Sequence, residues 1–523
     1  MKFQCPIFIL ALSLSAFGAI AEPAKTTEGL ISGVSGALPE VRVFKGIPFA
    51  APPVGDLRWR APRPAAKWDG VRAADMFSPN CVQRQAGGGA FPPNGGDRSA
   101  TTMSEDCLYL NVYTAAKSAA DKRPVMVWIH GGAWVSGAGA IYEGEELARK
   151  GVVMVAVNYR MGPFGFLAHP ELSKESGHGS GNYALLDQMA ALQWVQKNIA
   201  AFGGDPKKVT IFGESAGSWS VNFLIASPLA KGLFHRGIGQ SGGEFAPTRG
   251  LFEPSVKLAE AEQAGVKFGE AAGAASLAAL RAKSPGDLMK VPAFRSAATV
   301  DGYVLPEDVQ TIFAKGRQND IPVMIGSNED EGTLFTPLVV KAAALREQSA
   351  KRFGQDAESY LKAYPFVTDV EARAAQAASF RDEVFGWEMR TWARMQSKTG
   401  KQKVYLYFFN RVPPGAGAAN MGSQHGAEIA YALNWVNGTG STQAKWEDLD
   451  KKLADQVSSY WVNFAATGNP NGKGLPQWPV FNAKDEQLLS IGDKIEIGPV
   501  PHRAGLDFYE GYFSRVRQDR DRQ

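Results

Sequence analysis

Five short runs are almost continuously apolar and rich in β-branched or aromatic residues: residues 124–129, 152–157, 208–212, 321–325 and 403–409. Turn residues follow each run. Strands of this kind do not alternate apolar with polar positions, so they predict a sheet buried on both faces. Between the second and third runs, residues 184–195 space their apolar side chains as a helix does. Strand, helix and strand in alternation predict a mostly parallel α/β sheet joined by right-handed crossovers. The alanine-rich stretch 260–283 reads as helix and not as linker. No internal repeat and no Pro/Ser-rich linker divides residues 22–523, so one large α/β domain with helical insertions is expected there.

The first residues have another character. Lys2 gives a positive start, an apolar run covers residues 7–14, and Ala19-Ile20-Ala21 has the small-x-small form cut by signal peptidases. Residues 1–21 are expected to be a cleaved signal peptide and the protein to be exported, either periplasmic or secreted. The run is short for a membrane span, which needs about 20 apolar residues. Of the three cysteines, Cys5 would leave with the leader. Cys81 and Cys107 would meet an oxidising compartment, where one disulfide is the simplest outcome.

Composition narrows the function. The 523 residues are 45% hydrophobic and 21% charged, which excludes a disordered chain. A net charge of +4 with no long basic run does not suggest nucleic acid or an anionic membrane as partner. Oligomeric state is not legible. Two cysteines without a histidine cluster do not make a zinc site.

The strongest chemical signal is Gly213-Glu214-Ser215-Ala216-Gly217, placed after the run 208–212 and before a helical stretch. A Gly-x-Ser-x-Gly sequence in that context predicts a cramped strand-to-helix turn that lifts a serine hydroxyl above the sheet edge. A serine needs a base. Among six histidines, His130, His169 and His178 precede the serine, and His235 follows it too closely. His425 lies beyond the last predicted strand, where a loop base belongs, whereas His502 reads as surface. The acid must lie in Glu329-Asp330-Glu331 after the run 321–325, and spacing alone does not choose among the three. His130-Gly131-Gly132-Ala133-Trp134 follows the first strand, and its amides with that of Ala216 are candidate oxyanion donors. His130 itself reads as a brace for that loop.

Three longer stretches give the chain a family likeness. They are residues 44–59 (FKGIPFAAPPVGDLRW), residues 105–112 (EDCLYLNV), and residues 202–206 (FGGDP) running on to the Ser215 elbow. On these the chain resembles the type-B carboxylesterase/lipase family, which includes the cholinesterases, over nearly all of residues 22–523. The resemblance implies an α/β-hydrolase fold and a Ser-His-Glu triad. Its Asp-Glu-Gly pattern falls on Asp330-Glu331-Gly332 and selects Glu331. Its His-Gly-x-Glu pattern falls on His425 and Glu428. It also implies oxyanion donors at Gly132, Ala133 and Ala216, and a first disulfide between Cys81 and Cys107. Two departures stand out. Ala133 replaces the third glycine of the family's usual loop. No tryptophan lies between Cys81 and Cys107, only Phe91, which argues against a choline ester held by cation–π contact.

The expected activity is carboxylic ester hydrolysis through an acyl-enzyme, on a small-molecule ester, with no metal or organic cofactor. A lipase or amidase on the same machinery is the near alternative, and a non-catalytic binding module the distant one. The acyl and alcohol pockets would come from residues 244–299 and 335–400. Trp134, Trp219 and Phe335 are candidates either to line the cleft or to pack the core.

Overall fold

The computed structural model describes residues 20, 22–84, 102–247, 255–292, 294–415, 417–438 and 445–522. Most of the proposed leader and the Gly-rich stretch around Phe91 lie outside these residues.

Eleven strands form one sheet: β1 (Val34–Ser35), β2 (Arg42–Pro48), β3 (Tyr109–Thr114), β4 (Arg123–Ile129), β5 (Val153–Val157), β6 (Gly204–Glu214), β7 (Arg236–Gln240), β8 (Val323–Asn328), β9 (Val404–Phe409), β10 (Gln487–Ile491) and β11 (Ile495–Pro499). Their spatial order is β1-β2-β3-β5-β4-β6-β7-β8-β9-β10-β11. The seven strands from β5 to β10 pair in parallel. Antiparallel strands flank them on both sides. The five apolar runs are β4, β5, β6, β8 and β9, each within a few residues of its expected bounds. The flanks were not foreseen, because their side chains are not uniformly apolar.

Burial on both faces follows from strand geometry. Successive side chains point to opposite sides, so β4 and β5 each feed two cores. Val125, Val127, Ile129, Val153 and Val155 join the core that holds residues of α1 (Tyr183–Asn198) and α2 (Ala216–Ala226). Met126, Trp128, Met154 and Ala156 join the opposite core with α3 (Asp448–Thr467). The alanine-rich stretch is helical in two pieces, Leu258–Ala271 and Leu277–Ala282. The break holds Gly273 with φ 65°, a backbone conformation that glycine adopts without a Cβ clash. A second insertion contains Asp369–Arg381, a π-helical turn at Asp382–Gly386, and Trp387–Thr399.

The parallel register places the carboxyl ends of β4, β6, β7, β8 and β9 along one edge. The segments that leave this edge begin at His130, Ser215, Ser241, Glu329 and Asn410. In open α/β sheets this is the edge where sites are built. No described helix is long and apolar enough to cross a membrane.

Candidate active site

Ser215 sits between β6 and α2 with φ 55° and ψ −122°. A non-glycine residue held there costs on the order of 1–3 kcal/mol and persists only when its surroundings over-determine it. Here they do. Ser215 N donates to Gln240 O at 2.8 Å, and its carbonyl accepts Trp219 N at 3.0 Å. The flanking glycines leave room for close backbone approach. A Cβ at Gly217 would lie 2.0 Å from Ile129 O, and one at Gly213 would lie 2.4 Å from the same oxygen. All eleven residues of α2 are buried.

The His130–Trp134 segment lies against this turn: a Cβ added at Gly131 would come 3.1 Å from Ser215 Cβ. Gly132, Ala133 and Trp134 all have positive φ, at 94°, 52° and 57°. The His130 ring stacks on Tyr159 with centroids 4.3 Å apart, and the Tyr159 hydroxyl donates to His130 O at 2.6 Å. Burial pushes His130 down to about 4, so its ring is neutral at ordinary pH. It braces the loop, as its position suggested.

Three carboxylates entered as candidate acids, and one reaches the imidazole. His425 Nδ1 donates to Glu331 Oε2 at 2.6 Å, and both side chains are fully buried. Glu331 Oε1 accepts the Ser241 hydroxyl at 2.5 Å and Asn328 N at 2.8 Å. Glu329 instead faces Arg381 at 3.1 Å and His502 at 2.9 Å. Asp330 accepts Ser423 N at 2.8 Å and thereby ties the acid loop to the loop carrying His425. The other ring nitrogen, Nε2, lies 3.1 Å from Glu214 Oε1, one residue before Ser215.

Two carboxylates beyond Glu331 therefore bear on His425. Glu428 accepts Gln240 Nε2 at 2.8 Å and Asn328 Nδ2 at 2.6 Å. Burial lifts Glu214 to about 8, helped by repulsion from Glu428 and Glu331 and opposed by His425. Burial also disfavours the imidazolium of His425, but Glu214, Glu331 and Glu428 outweigh it and raise His425 to about 9. Sequence reasoning placed Glu214 and Glu428 only as letters inside motifs, and it missed Ser241, Asn328 and Gln240. No local pattern marks these residues, because their roles arise only where strands β7 and β8 end side by side.

Phe385 stacks on His425 at 4.6 Å and Phe335 meets it edge-on at 5.3 Å. Trp134 and Trp219 are buried beside each other at 5.6 Å, and their indole N–H groups donate to Ser220 Oγ and Gly243 O. They are core residues, whereas Phe335 borders the site. Cys81 and Cys107 form a disulfide. No metal-binding cluster of His, Cys, Asp and Glu occurs among the described residues.

The model of the Carboxylesterase family matches residues 21–508. The chain belongs to the carboxylesterase family. Membership makes it a serine carboxylic ester hydrolase with the α/β-hydrolase fold. It is 39% identical over 497 residues to the fumonisin B1 esterase of Sphingopyxis macrogoltabida, covering 90% of this chain and 87% of that one. It is 33% identical over 531 residues to the cocaine esterase of Homo sapiens, covering 94% and 91% of the two chains. Among solved structures it superposes on a PNB esterase with a TM-score of 0.80 at 32% identity, covering 93% of this chain and 99% of that one.

Proposed function

We propose that Ser215, His425 and Glu331 are the catalytic triad of a two-step acyl transfer on a small-molecule carboxylic ester. The observation that carries this reading is the 2.6 Å contact between His425 Nδ1 and Glu331 Oε2, made by a ring whose other nitrogen faces the Ser215 turn. In the neutral ring, Nδ1–H bonded to a carboxylate leaves Nε2 as the acceptor, which is the tautomer a base requires. His425 takes the Ser215 proton as the hydroxyl oxygen bonds to the ester carbon. The carbonyl electrons move to oxygen and meet the N–H groups of Gly132, Ala133 and Ala216. The imidazolium then protonates the departing alcohol as the C–O bond breaks. Water repeats the sequence on the acyl-enzyme and regenerates Ser215.

Ala133 keeps its N–H although it replaces a glycine, and its φ of 52° is a conformation the loop must enforce. Each donor of this kind contributes roughly 3 kcal/mol to the transition state. Ser215→Ala is expected to fold, to lose turnover of a chromogenic ester by roughly 10⁶-fold, and to take no adduct from a fluorophosphonate. Retained turnover in that variant refutes the triad. We further propose that residues 1–21 are an export leader and that residues 22–523 act as one domain; N-terminal sequencing of the exported protein checks the cleavage site.

A further inference from the structure

The loop that would supply two of the three oxyanion donors does not hold itself. Between His130 and Gly139, four residues have positive φ: Gly132, Ala133, Trp134 and Gly137. The backbone bonds within this segment are a single turn, from Val135 N and Ser136 N to Gly132 O. External groups must therefore fix the segment. Two side-chain amides do so, and each also holds one half of a disulfide.

Gln83 stands two residues after Cys81 and is half-buried. Its Nε2 donates to Gly137 O at 2.9 Å, and its Oε1 accepts Gly137 N at 2.8 Å. The same Nε2 reaches Cys81 O at 3.0 Å. On the other side, Asn158 Oδ1 accepts Gly139 N at 2.8 Å while its Nδ2 donates to Cys107 O at 3.2 Å. The Cys81–Cys107 bond joins the two anchor points. Gly137 in turn is registered against the start of the loop, since a Cβ there would lie 2.4 Å from His130 Nδ1.

We propose that Gln83 is a positioning residue for the oxyanion loop. It grips the N–H and the C=O of the residues-136-to-138 backbone at Gly137, with the Cys81–Cys107 disulfide as its fixed point. The N–H groups of Gly132 and Ala133 are thereby held toward the carbonyl oxygen attacked by Ser215. The inference rests on the acyl-transfer reading above. Gln83 touches no reacting atom. A two-point grip sets both the place and the tilt of the backbone, which one hydrogen bond does not. A shift of about 1 Å in such a loop is enough to cost roughly 10²-fold in rate. Because negative charge builds on that oxygen only as the tetrahedral species forms, the loss falls on the transition state and not on substrate binding.

The test compares Gln83→Leu and Gln83→Asn with the wild-type chain. On a chromogenic ester, kcat of Gln83→Leu is expected to fall roughly 10- to 100-fold while KM stays within about twofold. A trifluoromethyl ketone, which forms an oxyanion on adding to Ser215, should lose affinity by the same factor. The acid limb of the pH profile, set by His425, should not move. Gln83→Asn keeps the amide but is one methylene shorter, so its losses should be intermediate; it also serves if the leucine variant does not fold. Unchanged kcat in a folded variant overturns the proposal. So does a fall in kcat with ketone affinity unaltered, or an effect confined to KM or to thermal stability. Retained activity in Ser215→Ala removes the acyl-transfer reading itself, and this inference with it, whatever the Gln83 variants do.

Discussion

The two halves of the site are built by opposite means. On the nucleophile side, five consecutive residues make the structure, and backbone contacts hold it: Gly213 and Gly217 against Ile129 O, and Ser215 N on Gln240 O. On the acid–base side, buried side chains from four separate segments converge on one imidazole: Glu331, Glu214 and Glu428 as carboxylates, with Ser241 and Asn328 orienting Glu331. The first half is rigid because nothing in it has room to move. The second is a set of competing charges whose balance decides where a proton rests. Shape errors should break the first half, and charge or hydrogen-bond changes should retune the second.

The largest effect separates the candidate acids. Glu331→Gln is expected to lower kcat roughly 10⁴-fold, because the amide favours the wrong tautomer of His425. Glu329→Gln should leave kcat near wild type, since Glu329 faces Arg381 and His502. Steady-state kinetics on one ester checks both, and a large loss confined to the Glu329 variant reverses the assignment. On the other half, Gly217→Ala places a methyl group 2.0 Å from Ile129 O. Overpacking of that kind costs about 1–3 kcal/mol, and the displaced turn should lose roughly 10²-fold in kcat. Thermal unfolding and kinetics together read the two costs. A variant with unaltered midpoint and turnover means that the elbow is not tight.

The same contrast explains what was legible. Strands β4, β5, β6, β8 and β9 are apolar on both faces, and composition alone marks such strands. The elbow is legible because its constraint is local: small residues at fixed offsets around one serine. Glu331 was not separable from Glu329 and Asp330 without the family resemblance. The choice depends on which side chain β8 turns toward β7 and the His425 loop, and that is a property of strand order. Ser241 carries no signal at all. It lies in Gln240-Ser241-Gly242, an ordinary strand end until β8 is set beside it. The antiparallel flanks escaped for a related reason: β2 and β11 mix polar and apolar positions, and β11 is largely exposed.

Ser241→Ala tests a tuning contact of intermediate size. It removes the 2.5 Å hydrogen bond to Glu331 and leaves Asn328 N in place. A hydrogen bond to a charged group contributes about 1.5–3 kcal/mol. The carboxylate keeps its second donor, so the loss in kcat should be about tenfold, an order-of-magnitude figure at the low end of that range. Folded protein with unaltered turnover shows that Asn328 alone orients the acid.

The smallest change in rate should come from the proton balance, and there the sign is the test. His425 must be neutral to accept the Ser215 proton. Its carboxylate neighbours raise it to about 9 against the opposing effect of burial. Activity should therefore climb as pH rises through that region, with the acid limb of kcat on the alkaline side of the ordinary imidazole value of about 6.5. Glu214 exerts the largest single charge effect that raises His425 and lies 3.1 Å from Nε2. With glutamine at 214, no charge remains there to favour the imidazolium, so the acid limb should move down by roughly one unit. Glu428→Gln should move it the same way but less, because Glu428 acts on His425 more weakly than either Glu214 or Glu331 does. Well above the limb, where His425 is neutral in every variant, turnover of the Glu214 variant should approach that of wild type. A limb that stays in place, or moves upward, would mean that Glu214 carries no charge when His425 titrates, and the acid–base half would then rest on Glu331 and Glu428 alone.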